Sequence, residues 1–233
     1  MHRLMAARKS AEGRVEPWIA SMAYGPLVSE ANSILRGMDV WGFKSCTRSS
    51  HEFFLEKYNK SGFLTTGYTL MYTGWHLWTL GEHLRWHPPV EWAREYIPVP
   101  KRACEWICAQ TEKTGKQRPD GSAMPESGLF PPGVQADWNV FAYHFALSGY
   151  FYAGLREAAG ILENLGDMEA PRYLAAAEEL KHSILWAYHQ TAEISPLVSL
   201  SDGRWVYYYP SQTHTPGPIG DFFPGEDGER SWC

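Results

Sequence analysis

The sequence predicts an all-α fold of antiparallel helical hairpins with one small β-hairpin near the C-terminus, on three observations. Apolar residues recur at helical spacing through most of the 233 residues, which is the mark of packed helices. They do so in two alternating styles, apolar around most of the circumference and apolar along a single stripe, as inner and outer members of hairpins would. Finally, PLVSLSDGRWVYYYP sets two β-type runs about Asp202-Gly203, which is hairpin chemistry.

Residues 1–25 read as an N-terminal extension, and 26–233 as the domain, with the β-hairpin at about 197–209. The first inner helix is expected over 27–38. Its outer partner is expected over 50–59, opened by a capping box from Ser49 to Glu52. In 67–86, Tyr68, Met71, Tyr72, Trp75 and Trp78 fall on one side and Leu70, Leu77, Leu80 and Leu84 on others, so this helix must be surrounded by protein. Its partner, 90–111, is broken near Pro98 and Pro100 and turns Ala103, Cys104, Ile107 and Cys108 inward. Residues 139–165 read as the third inner helix, in which Ala142, Ala146, Ser148, Gly149 and Ala153 leave room for neighbours. The last outer helix, 169–189, carries one stripe (Ala170, Tyr173, Leu174, Ala177, Leu180, Ile184, Leu185, Tyr188), with Asp167 as cap and Pro171 in the first turn.

Links from inner to outer helices are short, whereas 112–138 and everything after 193 are long. Antiparallel hairpins gather links of one type at one end, so the long loops are expected to share a face, and long loops on a rigid scaffold carry function. Composition excludes several classes. With 44% hydrophobic, 15% aromatic and 20% charged residues the chain is neither disordered nor a coiled coil. Its 21 basic against 26 acidic residues give −5, no footprint for nucleic acid or an anionic membrane. The 4 cysteines lack the spacing of a disulfide or zinc framework and read as buried thiols, so neither a metal nor a cofactor is expected. No run is long and apolar enough to span a bilayer, and the basic start (Arg3, Arg8, Lys9, Arg14) lacks the apolar stretch of a secretory signal. The expectation is a soluble chain of unassigned compartment.

TGYTLMYTGWHLWTLGEHLRW followed by VPKRACEWICAQ, GLFPPGVQADW opening a helix, and GILENLGDMEAPRYLAAAEELKHSILWAYHQ followed by LVSLSDGRWVYYYPSQ together resemble the six-hairpin, (α/α)6-toroid glycosidase superfamily, the glucoamylase-like fold. The likeness runs over roughly 26–233 and lies in the architectural pattern. It implies a partial (α/α)6 toroid and hydrolysis of glycosidic bonds by paired carboxylates. Three hairpins are half of such a ring, so the resemblance also implies a fragment, or a protomer completed by the missing half of its own toroid or another chain.

Glycoside hydrolysis needs two carboxyl groups about 5–10 Å apart. Among the acids of the long loops (Asp120, Glu126, Asp137, Asp202, Asp221, Glu226, Asp227, Glu229), Asp137 stands at a helix entry where the anion is favoured, which suits a base; a helix cap is the plainer reading. Glu226 lies behind Phe222, Phe223 and Pro224, where apolar surroundings favour the neutral form that a general acid needs; a solvated turn is the plainer reading. The 11 Trp, 13 Tyr and 10 Phe exceed what a core of this size uses. Phe130, Trp138, Trp205, Tyr207, Tyr208 and Tyr209 are candidates to stack on a sugar, and Arg118, Gln135, Gln212, His214 and His144 to bond its hydroxyls. The alternatives are a non-catalytic carbohydrate-binding or scaffold toroid and a lyase or epimerase using Tyr143 and His144.

Overall fold

A computed structural model describes residues 8–19, 25–67, 69, 71–88, 91–135, 138–215 and 217. The chain is mostly helical with two small antiparallel β-hairpins. Its elements are α1 (Val28–Val40), α2 (Lys44–Leu55), α3 (Tyr72–Trp86), a 3-10 turn (Glu91–Tyr96), α4 (Pro98–Glu112), β1 (Gly133–Gln135), β2 (Trp138–Ala142), α5 (Phe145–Asn164), α6 (Ala170–Glu193), β3 (Leu197–Ser199) and β4 (Trp205–Tyr207). These divide between two compact units, 1–108 with 150–177 and 109–149 with 178–233.

In the first unit α1, α2 and α3 pack on one another. Leu55, Leu80, Leu84, Ala93, Ile161 and Leu165 form a core, sealed by Trp92, Tyr96, Ile97 and Val99. The expected all-round burial of the 67–86 helix holds for α3, yet the buried set includes Thr73, His76, Thr79 and His83. A helix enclosing polar side chains must satisfy them inside. The same helix meets α5 at backbone distance. A methyl group on Gly74 would stand 2.4 Å from the Tyr150 carbonyl oxygen, and one on Gly154 2.4 Å from that of Gly74. Trp75 lies against Tyr150 beside this crossing, ring centroids 4.6 Å apart.

Several element boundaries differ from the sequence expectation. α2 starts at Lys44, so Ser49 sits inside the helix, and its hydroxyl accepts the Val15 N–H at 2.9 Å instead of closing a capping box. That bond and Arg14, which reaches Glu52 at 2.6 Å, Glu56 at 2.9 Å and the Tyr96 hydroxyl at 3.0 Å, tie the N-terminal segment to α2. At the other end of the unit the expectation holds: Asp167 accepts the Glu169 N–H at 2.9 Å and caps α6.

The second unit is built from the 113–132 loop, both β-hairpins and parts of three helices. Residues 139–142, expected to be helical, belong to β2, which pairs with β1 (Gly133↔Ala142, Gln135↔Trp138) through an irregular register. Val140 and Phe141 favour a pleated strand when a partner is at hand. The helix begins only at Phe145, after His144 has bridged to Gln212. β3 and β4 form the expected hairpin, Leu197↔Tyr207 to Ser199↔Trp205. Gly203 takes φ +81° in its turn, and Asp202 accepts the Arg204 N–H at 3.1 Å. Leu129, Phe145 and Ala187 make this unit's core, with Tyr143, Ile184 and Tyr188 against it.

Candidate functional site

Alternation along β4 and beyond it turns Trp205, Tyr207 and Tyr209 outward, 67%, 67% and 60% exposed, while Tyr208 is buried. Two residues of strand place successive outward rings about 7 Å apart. Tyr209 lies flat on Tyr188 of α6, centroids 5.6 Å apart and planes 1° from parallel. Tyr188 in turn packs on the core that Tyr143 also covers. The row is thus anchored at one end and open to water along its faces.

Tyr143 adjoins a carboxylate. Its phenol is pushed above the ordinary value first by burial and then by the charge of Glu126. Glu126 is itself buried, and its Oε2 accepts a bond from His214 Nε2 at 2.8 Å. Among the described residues His214 is the non-glycine with a positive φ, 62°, a conformation disfavoured for a side chain with a Cβ. The segment holding it is zipped to the strand-to-helix junction: Phe145 N–H donates to Ser211 at 3.0 Å and Thr213 N–H to Tyr143 at 3.2 Å. Gln212, fully enclosed, donates to Thr215 at 2.8 Å.

The candidates proposed from sequence fare unequally. Asp137 and Glu226 lie outside the described residues. Trp138 opens β2 opposite Gln135. Trp205 and Tyr207 present their rings to solvent. Phe130 does not: it is 1% exposed and part of the core, so it offers no face to a ligand. His144 is a second correction. It is fully buried, its Nε2–H donates to the Val140 carbonyl at 2.9 Å, and burial pushes its pKa down, so it faces neither lumen nor ligand. That placement also withdraws the base from the lyase reading. Arg118 is exposed but bound within its own loop, to Ser122 at 3.2 Å and the Ala123 carbonyl at 3.1 Å.

The first unit holds a polar chain that the sequence reading passed over. Tyr58 hydroxyl stands 3.0 Å from His76 Nδ1, and His76 Nε2 3.3 Å from His51 Nδ1. The His51 ring lies 5.0 Å from that of His83. Asp39 Oδ1 then accepts from His83 Nδ1 at 2.9 Å and from His87 Nε2 at 3.2 Å. Burial lowers His76 to about 3 and moves His51 well down as well, with the neighbouring imidazoles His83 and His76 adding to the latter. The intervals His76 to His83 to His87 are seven and four residues, one helix face, and this spacing was the available signal. Comparison with known protein families, with curated proteins and with solved structures finds no match.

Proposed function

We propose that the chain is a carbohydrate-active protein of the glycoside-hydrolase type that seats its sugar on the aromatic row of the second unit. The observation that carries this reading is the exposure of Trp205 and Tyr207 on one hairpin face, 67% each. Flat rings left in water on a hairpin face offer apolar faces to the C–H side of a sugar, while the ring edges stay hydrated. The net charge of −5 fits a neutral polyol better than a polyanion.

Glu126 is the described carboxylate best prepared for such chemistry, because burial and a fixed imidazole partner orient it. Its counterpart in a paired-carboxylate reaction is assigned to Asp137 or Glu226. Calorimetric titration with a panel of neutral oligosaccharides tests the binding half: Trp205→Ala and Tyr207→Ala should each weaken the best ligand about 3- to 10-fold, the worth of one lost stacking contact. Glu126→Gln should lower hydrolysis while leaving that affinity in place. Binding without hydrolysis of any panel member would reduce the reading to a sugar-binding protein; absence of binding would end it.

A further inference from the structure

Asp39 is 3% exposed, and no Lys or Arg is paired with it among the described residues; the two imidazoles of His83 and His87 are its partners. A buried carboxylate without a cation is costly. Its second oxygen, Oδ2, is buried with no hydrogen-bond partner, and so is Nε2 of His83. The two histidines come from the last turn of α3 and the residue that follows it, and Asp39 is the next-to-last residue of α1. Both helices therefore direct their carbonyl ends, the negative poles, toward this corner, which favours a cation.

The geometry suits a metal ion. One ligand atom from each of the three residues can be chosen so that all lie within 4.8 Å of one another. Metal–ligand bonds of about 2.0–2.2 Å set neighbouring ligand atoms about 3.0–3.5 Å apart, and the two observed contacts to Asp39 Oδ1 are 2.9 and 3.2 Å. Two imidazoles and one carboxylate select a borderline first-row ion over calcium or magnesium. Asp39 also lines a surface pocket of about 320 Å³ with Ser33, Arg36, Glu82 and Trp86, so the site lies close to the surface.

We propose that Asp39, His83 and His87 bind a divalent first-row transition-metal ion, for which Zn²⁺ is the probe. His51, against the His83 ring, backs the site. This departs from the metal-free expectation and stands independently of the sugar reading. Protein freed of metal with a chelator and titrated with Zn²⁺ should take up one ion per chain. His87 is the informative position, since its side chain is 14% exposed while Asp39 and His83 are enclosed. His87→Gln, with circular dichroism verifying the fold, should weaken Zn²⁺ at least 100-fold, beyond the ~10- to 100-fold typical of an outer-shell partner.

In the unaltered chain, ¹⁵N spectra of the histidine rings should show two imidazoles shifting on Zn²⁺ addition, which keeps the test open should the variant unfold. No saturable uptake at micromolar Zn²⁺, unchanged affinity in His87→Gln as from an ion held by Cys104 and Cys108, or unmoved ring signals would each overturn the site.

Discussion

His51 and His76 remain uncharged at neutral pH because both are fully enclosed. The unfolded chain takes up a proton on each below about 6.5, whereas folded His76 does so only near 3. The unfolded state therefore binds more protons across that window, and stability falls as pH drops through it. Between pH 7 and 5, His76 alone should cost about 2 kcal/mol. Urea unfolding of the wild type and His76→Gln in chelator checks this: the variant should lose that much less on acidification, and an identical loss would remove His76 as the cause. Arg14 makes a second residue-scale prediction. It bonds Glu52, Glu56 and Tyr96, and since these pairs are half-exposed and screened, Arg14→Ala should lower stability by only about 1 kcal/mol. At this scale the sequence was legible for Trp205 and Tyr207, whose alternation is local. For Glu126, one of eight loop acids, and for His76, His83 and His87, whose spacing marks one helix face, the sequence did not show the partners, because these come from residues distant in the chain: His214 lies 88 positions from Glu126, and Asp39 lies 44 from His83.

Among the elements, the α3–α5 crossing depends on two missing side chains. Gly74→Ala would drive a methyl into the Tyr150 carbonyl, and forced backbone shifts of this kind cost about 1–3 kcal/mol. Gly149, in the same α5, has open space around its would-be Cβ, so Gly149→Ala should stabilise by about 0.5–1 kcal/mol. Thermal unfolding of the two variants should move in opposite directions; a shared direction would contradict the crossing. Small residues in this stretch were read from sequence as making room for neighbours. The close approach itself falls to Gly154, outside the group read that way, because period alone does not say which small residue meets backbone. The outer stripe of α6, except Leu185, which is 47% exposed while Ala187 is buried, and the Asp167 cap were legible because both are written within a few residues. The capping box at Ser49 failed because Ser49 satisfies a distant N–H. Residues 139–142 failed because aromatic and β-branched positions fit a helix and a strand equally until β1 supplies a partner.

On the scale of the whole molecule, the helical class and the C-terminal hairpin followed from periodicity and from Asp202-Gly203. Closure into a ring is a property of how many hairpins meet, and periodicity within each of them carries no information about it. The division of polar function was equally hidden. Composition pointed to aromatic excess, of which β4 presents Trp205 and Tyr207 to solvent, and it left no trace of a second, histidine-rich centre in the other unit. In the proposed function, Trp205, Tyr207 and the Glu126–His214 pair handle sugar. Saturation-transfer and ring-resonance NMR with the best-binding oligosaccharide tests it most directly. Magnetisation transfer to the sugar is expected, with shifts concentrated on the Trp205 indole, the Tyr207 ring and the His214 imidazole. Shifts confined to other residues, or no transfer with any oligosaccharide, would contradict it.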